Sequence, residues 1–576
     1  MEPRSPHWHI HPRLSDEQVL RIQRELSHLG LTPLMVQLLA NRGLLELEDI
    51  ETFIQPQDVS QHPDPTMLTG MQPAVERICQ ALSSREKVVV YGDYDADGVT
   101  STALLTTALR HFGADVEPYV PNRMNEGYGL NPTAVRELGS KGTRLLITVD
   151  CGISGREEVE VARQAGMDVI VTDHHHLPSD LPNAAACINP KQFVAGCECY
   201  QELAGVGVAY QLVRALVKRC GKPKRLRNKD LLGLVAIGTV ADVVQLKGAN
   251  RSLVQQGLAA IPENSLPGIR TMLEYAGLKP GAIDTDRVGF IIGPRLNAAG
   301  RVDDARTAYE LLMTEDVYYA RQLAQKLEAQ NRRRQATMNA IVEQARERVK
   351  RMDDNTRVIV LHDSTWPSGV VGLVAGRLVE EFGRPAVVIE QGEEESRGSA
   401  RSVPRFNMVE ALAETSDLLV KYGGHSAAAG FTVKTTNIEE LNRRLCATCD
   451  KQLQHEQLRP TISADAELPV NKVDDETLEQ INRMSPFGAG NPSPVFVAKG
   501  VRVVSASTVG DNNAHLKLIV ADRNNGHAPL EAIAFRYGYM AENVRRKGQV
   551  DLVYSIERRE WKGDTHLQLR VKDIHV

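Results

Sequence analysis

Short apolar runs that end in aspartate recur through the first half of the chain: KVVVYGD (87–93), RLLITVD (144–150) and MDVIVTD (167–173). Segments with apolar residues at helical spacing lie between them, VTSTALLTTALRHFG (99–113) and REEVEVARQAG (156–166). Strands alternating with helices predict a parallel sheet covered by helices. AACINP (185–190) reads as a further strand, and LLGLVAIGTVADVV (231–244), longer and apolar all round, as a buried helix. Ahead of this region LSDEQVLRIQRELSHLG (14–30) begins with a Ser-x-x-Gln cap signal at Ser15, so the first 50 or so residues read as helical.

A charged stretch over 315–352 keeps its apolar residues at helical spacing and predicts one long connecting helix. A second α/β unit follows: TRVIVLHD and PAVVIEQ as strands, GVVGLVAGRLVEEFG as the helix between them, with the alternation expected to continue to about residue 453. Beyond residue 460 the pattern turns to β. PVFVAKGVRVVSAS, AHLKLIVAD, LEAIAFRYG, QVDLVYSIERRE and HLQLRVKDIHV are five strands, preceded by the helix ETLEQINRMS, and five strands in so short a stretch suit an oligonucleotide-binding (OB-like) barrel. The expected fold class is therefore α/β: two α/β domains joined by a long helix, plus a C-terminal OB-like β-barrel. The expected segments are 1–50 (helical), 51–314 (catalytic), 315–352 (connecting helix), 353–455 (second α/β domain) and 456–576 (barrel).

Length supports several units, because 576 residues exceed the roughly 250–300 at which one core stops growing. With 68 Lys and Arg against 73 Asp and Glu, the net charge is −5, which excludes a simple polycationic binder; any grip on a polyanion must come from basic residues gathered locally. KRCGKPKRLRNK (218–229) and QNRRRQ (330–335) are candidates, although such runs are more often solvated faces. The 8 scattered cysteines argue against a disulfide framework and for a reducing cytoplasm; Cys446 and Cys449 have metal-knuckle spacing but sit in a helical pattern without a second pair. No apolar stretch is long enough for a bilayer, and no signal core is present. His7, His9 and His11 alternate in a segment that reads as a loose polar terminus. Without a Walker-type phosphate loop, no ATP requirement is expected.

Chemistry concentrates at the strand ends. In an open parallel sheet ligands bind beyond the carboxyl ends of the strands, and there stand YGDYDADG (Asp93, Asp95, Asp97), TVD (Asp150) and VTDHHH (Asp173, His174, His175, His176). A lone Asp at a strand end is usually a helix cap or turn residue. So many carboxylates beside histidines are not explained by capping, and like charges gathered this way call for a cation. Oxygen donors with one or two imidazoles suit Mn²⁺ or Mg²⁺. Asp95 and Asp97, two apart, would point the same way if extended and could serve neighbouring ions; two ions about 3.5–4 Å apart can clamp a phosphoryl transfer. Asp242, in the apolar run GTVADVV, is either a ligand or a hydrogen-bonded core residue.

At these residues the chain resembles the DHH phosphoesterase superfamily, and within it the branch of exonucleases that degrade single-stranded DNA 5′→3′. VVVYGDYDADGVTSTALL, ITVDCGIS, VTDHHH and GTVADVV resemble its four motifs. GPRLNAAGR, RGSARS and GGHSAAAG resemble the exonuclease core and its DHHA1-like second domain. The resemblance implies two ions, Mn²⁺ or Mg²⁺: one held by Asp97, Asp150, His174 and Asp242, the other by Asp95 and Asp150 with Asp93 close by. It implies that His175 faces the scissile phosphate and that Asp173 orients a histidine. Arg123 and Arg301 would grip phosphate near the 5′ end. Ser399 and Arg401 would form a 5′-phosphate pocket, and Gly424 with His425 would contact phosphate, although GGHSAAAG also reads as a tight strand–helix turn. Single-stranded DNA is the implied substrate, selected by a channel between the α/β domains too narrow for a duplex. A single-strand-binding protein and a RecQ-like helicase are the implied partners. Two other readings stand beside it: a phosphodiesterase for short oligonucleotides or cyclic dinucleotides, whose relatives usually lack the barrel, and a non-catalytic single-strand-binding scaffold, whose relatives lose metal ligands.

Overall fold

The apolar, aspartate-terminated runs form the strands of a five-stranded sheet in a computed structural model of the chain. The structure describes residues 6–55, 58–123, 126–263, 266–278, 283–353, 355–453, 460–522, 528–561 and 564–576. Two compact units emerge. One consists of Val19–Asn331 with Glu479–Ser493; the other combines the N-terminal residues up to Gln18 with Arg332–Leu478 and Pro494–Val576.

The chain opens on a short strand, β1 (His7–Ile10), paired in parallel with a later strand at Thr461–Ala464. His7 and His9 therefore lie on a strand, with His11 directly after it, rather than in a loose terminus. The Trp8 indole Nε1–H donates to Asp573 at 2.7 Å and its ring stacks on His575, an apolar anchor that an alternating pattern of only four residues did not reveal. Next comes the helix Asp16–Glu25, whose start is the expected box: the Gln18 amide donates to Ser15 Oγ at 3.2 Å and the Ser15 amide to Gln18 Oε1 at 3.1 Å.

The first unit is built on β2 (Lys87–Gly92), β3 (Asp115–Tyr119), β4 (Leu145–Val149), β5 (Asp168–Thr172) and β6 (Ala186–Ile188). All pair in parallel, in the order β3-β2-β4-β5-β6. β2, β4 and β5 are apolar along nearly their whole length because helices bury both faces: Val90, Ile147 and Ile170 share a core with the helices Met71–Ser84, Ala96–His111, Gly205–Cys220 and Asn228–Ala241, while Val89, Leu146 and Val169 pack on the other side with Val135 and Val159. Glu479–Ser493, expected with the barrel, groups here instead: Arg251 donates to the carbonyls of Met484 (3.0 Å) and Ser485 (2.9 Å), and Arg42 to Asn491 Oδ1 (2.7 Å).

The expected connecting helix is a single 34-residue helix, Val317–Lys350, carrying the chain from one unit into the other. β7 (Ile359–Asp363) and β8 (Ala386–Glu390) pair in parallel across the helix Ser368–Phe382. The alternation then stops: β9 (Glu395–Arg401), β10 (Leu419–Gly424) and β11 (Ala428–Lys434) continue the sheet antiparallel, in the order β10-β11-β9-β8-β7. GGHSAAAG is thus a hairpin turn and not a strand–helix turn. His425 and Ala428 exchange backbone hydrogen bonds (2.8 and 3.3 Å), and Gly424 takes φ +141°, which a side chain would resist.

β12 (Thr461–Ala464) receives β1, and β13 (Ala466–Glu467) starts the last sheet. The five expected strands follow as β14 (Phe496–Val509), β15 (His515–Ala521), β16 (Leu530–Ala534), β17 (Gln549–Trp561) and β18 (Asp564–His575). Their order is β14-β15-β16-β18-β17, and β17 also pairs with β14, so the sheet closes into a barrel. Among the described residues no helix is long and apolar enough to cross a membrane.

Candidate metal centre and phosphate-binding residues

The register of the first sheet fixes where the acids stand. Gly92 of β2 is level with Val149 of β4, Val149 with Thr172 of β5, and Thr172 with Ile188 of β6. The next residue on each strand is Asp93, Asp150, Asp173 and Asn189, so four polar side chains form one row along the carboxyl edge. The turn after β4 needs Asp150 at φ +60° and Gly152 at φ +105°. Aspartate tolerates the left-handed region better than most side chains.

Asp95 begins the helix Ala96–His111: its Oδ1 accepts from the amides of Asp97 (2.9 Å) and Gly98 (3.1 Å). It is the cap that a lone acid would be, and its second oxygen remains. Asp97 lies inside the first helical turn, so the pair is not extended as the two-residue spacing suggested. Both its oxygens accept from the start of the helix Gly205–Cys220, Oδ2 from the Gly205 amide at 2.7 Å and Oδ1 from Val206 at 2.9 Å. Asp242 stands at the C-terminal cap of Asn228–Ala241, not within the helix, which removes the cost of an acid inside an apolar helix. It is followed by Val243 at φ +61°, a conformation that costs a β-branched residue about 1–3 kcal/mol.

Three groups of ligand atoms converge, each within 4.8 Å: Asp97, His174 and Asp242; Asp93, Asp95 and Asp150; and Asp150, His174 and His175. His174 Nε2 lies 3.1 Å from Asp150 Oδ1, 3.5 Å from Asp242 and 3.9 Å from Asp97. Asp93 Oδ1, Asp150 Oδ1 and His174 Nε2 are all buried without a hydrogen bond among the described residues. Burial holds the His174 imidazole down to about 3, so it is neutral, and its other nitrogen is engaged by the Leu203 backbone. A bare nitrogen lone pair thus faces carboxylate oxygens, an arrangement that is repulsive without a cation between them. Burial and neighbouring carboxylates push Asp97 up to about 7 and Asp242 to about 9, and raise Asp93 and Asp150 well above the usual range. The donors fit Mn²⁺ or Mg²⁺: five carboxylates, one neutral imidazole and no thiolate. The cradle is also tight. A β-carbon on Gly205 would stand 2.6 Å from Asp150 Cβ, and one on Gly238 2.8 Å from Asp97 Oδ1.

Asp173 is saturated instead. Its Oδ2 accepts from the Ile153 amide (2.9 Å), and its Oδ1 from the amides of His174 (2.7 Å) and His175 (3.0 Å) and from His175 Nδ1 (2.7 Å). Burial works against its charge, but the His175 contact prevails and holds it below the ordinary value. In return His175 is raised, since Asp173 outweighs burial. Tyr128 leans edge-on to the His175 ring with its hydroxyl 3.2 Å from Nδ1.

Pattern reading missed several supports. The Asn189 side chain donates to the His175 carbonyl at 2.9 Å, and Lys191 Nζ donates to the His174 carbonyl, so the turn after β6 holds both histidine backbones. Asn297, inside GPRLNAAGR, accepts from the Ala96 amide at 2.8 Å. The INP turn and the block around Asn297 were visible signals; the Gly205 and Val206 amides were not, because any residue can supply an N–H.

Of the phosphate candidates, Arg123 lies over the Tyr94 ring at 5.0 Å, and Arg123 and Arg301 both act on the Tyr94 phenol. The other four belong to the second unit, where pairing brings them to neighbouring strands: Ser399 and Arg401 on β9 stand opposite Gly430 and Ala428 of β11, and Gly424 ends β10 opposite Ala429. Arg401 donates to Ser399 Oγ at 3.1 Å, and a β-carbon on Gly372 would meet that oxygen at 2.8 Å. Gly424 and His425 are exposed beside them. In the basic run 218–229, Lys218 pairs with Asp64 and Lys229 with Glu263, as on an ordinary solvated face.

Three family models match: the DHH family N-terminal domain over residues 87–239, the DHHA1 domain over 355–451 and the RecJ OB domain over 464–573. The single-stranded-DNA-specific exonuclease RecJ of Bacillus subtilis is 36% identical over 96% of this chain and 70% of its own length; that of Dickeya dadantii is 35% identical over 95% and 96%. The chain belongs to the RecJ family. RecJ of Thermus thermophilus in complex with Mn²⁺ superposes with a TM-score of 0.83 at 30% identity, covering 99% of this chain and 80% of that one. The complex of the same RecJ with Mg²⁺ gives 0.78. The expected fold class, metal dependence and exonuclease class all agree with RecJ membership.

Proposed function

We propose that this RecJ-family protein hydrolyses single-stranded DNA from the 5′ end, releasing 5′ mononucleotides, with the carboxyl edge of the first sheet as its centre. The observation that carries the reading is the set of buried, hydrogen-bond-free atoms on Asp93, Asp150 and His174. One ion would be held by Asp97, Asp150, His174 and Asp242, the other by Asp95 and Asp150 with Asp93 beside them. When bound, Mn²⁺ or Mg²⁺ supplies Lewis-acid polarisation of the phosphate and a water of lowered pKa.

The chain's own residues do the rest. Asp173 keeps His175 protonated to higher pH, so His175 can donate to a phosphate oxygen as charge builds there. Asn189 and Lys191 fix the backbone on which both histidines stand. Arg123 and Arg301 hold flanking phosphates with their planar guanidinium forks. Ser399, Arg401, Gly424 and His425 receive a terminal 5′-phosphate, which gives the 5′→3′ polarity. On the barrel, half-exposed Phe535 lies beside His515 and under the Arg570 guanidinium at 5.8 Å, in a groove of about 600 Å³ that also contains Lys517, a stacking platform for bases. The cellular setting is DNA repair and recombination in the cytoplasm, with a single-strand-binding protein and a RecQ-like helicase as suppliers of single strands.

End-labelled single- and double-stranded substrates digested with Mn²⁺, Mg²⁺ or chelator test this. Single strands should shorten from the 5′ end with metal only. Asp150→Ala should bind single strands and leave them intact. Undiminished cutting by that variant, or by the chelated protein, would overturn the site.

A further inference from the structure

Two cysteines that are 141 positions apart meet at the surface of the first unit. Cys79 lies on the helix Met71–Ser84 and Cys220 is the last residue of Gly205–Cys220; their sulfurs are 3.2 Å apart. Both are free thiols, Cys220 exposed and Cys79 partly so. A disulfide needs about 2.05 Å between sulfurs, so a shift of roughly 1 Å would join them. The sulfurs of Cys151, Cys187 and Cys446 are turned instead toward the backbone carbonyls of Tyr91, Pro182 and Val358.

We propose that Cys79 and Cys220 are an oxidation site, forming a reversible disulfide that staples these two helices under peroxide. The chemistry balances with one equivalent of hydrogen peroxide. The exposed Cys220 thiolate attacks one peroxide oxygen and the O–O bond breaks, leaving a sulfenic acid on Cys220 and releasing water once a proton is taken up. Cys79 sulfur then attacks the Cys220 sulfur; the S–O bond breaks and the hydroxyl leaves as a second water with the Cys79 proton. Burial and the neighbouring Cys220 push the Cys79 thiol up to about 11, and the more exposed Cys220 is the sulfur that peroxide meets first.

The helix Gly205–Cys220 leads to the metal centre at the end away from Cys220. Met71–Ser84 runs into β2, which delivers Asp93, and the start of Gly205–Cys220 holds Asp97 through the Gly205 and Val206 amides. The staple thus closes a long chain loop around the centre, and a long loop is where a crosslink restrains the unfolded chain most.

The test treats the full-length protein with hydrogen peroxide, blocks remaining thiols with an alkylating agent and maps peptides by mass spectrometry, alongside Cys79→Ser and Cys220→Ser. The expected result is a Cys79–Cys220 crosslinked peptide that dithiothreitol removes, with a Tm several degrees above that of the reduced protein, and neither change in the two variants. Cys79 and Cys220 recovered separately alkylated or over-oxidised, or an oxidised protein whose Tm equals that of Cys79→Ser, would overturn the proposal.

Discussion

His175 and Asp173 form the charged pair nearest to the reacting phosphate in this reading, and removing one of them should do more than weaken binding. Asp173 Oδ1 lies 2.7 Å from His175 Nδ1 and raises the imidazole above 6.5. Asp173→Asn removes that charge, so His175 would lose its proton at lower pH. The protonated imidazole is the donor, so the alkaline limb of the pH–rate profile should move to lower pH and kcat should fall on the order of 100-fold at neutral pH. A pH series of kcat and KM at saturating Mn²⁺ measures this, and an unshifted limb would remove His175 from the reaction. The acids and histidines themselves were legible in the sequence because Asp93, Asp150 and Asp173 each terminate an apolar run. Which backbone amides hold each of them was not. The two-residue spacing in DYDAD suggested an extended pair pointing the same way, whereas Asp95 caps a helix and Asp97, inside its first turn, is tied to another helix's amides. Only the position of each residue relative to a helix start separates these roles, and boundaries shift by a residue or two in any pattern reading.

Elements position the centre through close backbone approach. The helix Gly205–Cys220 reaches Asp97 only because its first residue has no side chain: a β-carbon on Gly205 would sit 2.6 Å from Asp150 Cβ and 2.8 Å from its Oδ1. Gly205→Ala should displace Asp150, weakening Mn²⁺ binding about 10- to 100-fold, as disturbed ligand supports do, while the far-ultraviolet circular dichroism stays native. Gly376→Ala, where nothing lies within 4 Å, is the control and should leave affinity unchanged. Isothermal titration of both variants decides it; equal affinities would mean that the helix start does not brace Asp150. At this scale the long apolar elements were readable. β3 was not: DVEPY carries a proline and only one buried residue, Val116, too little contrast to register as a strand. The hairpin at GGHSAAAG was hidden for a related reason, since small residues give no periodicity and its exposed β10 lacks the apolar face that marks a strand.

Stability of the whole molecule should carry the signature of the metal site. Asp97 and Asp242 take up protons at about 7 and about 9 in the metal-free fold, and Asp93 and Asp150 are raised as well, whereas an unfolded aspartate titrates near 3.8. Between those values the folded state binds more protons than the unfolded state, so the metal-free protein loses stability as pH rises through the window, by about 1.4 kcal/mol per pH unit for each proton still held. His174, neutral down to about 3 where an unfolded histidine titrates near 6.5, works in the opposite direction below that value: there the unfolded chain holds the extra proton, so this one group adds stability as pH rises. A bound divalent cation needs these carboxylates ionised and reverses the sign: what the apo fold loses on deprotonation becomes affinity for the ion, which therefore tightens with pH. The Tm gap between Mn²⁺-loaded and chelator-treated protein should widen steadily from pH 5 to pH 9. Calorimetric titration near pH 7 in two buffers of different ionisation enthalpy should show protons released on binding. A gap independent of pH, with no buffer-dependent heat, would mean that the acids are already ionised without metal, and the crowding argued from their burial would be wrong.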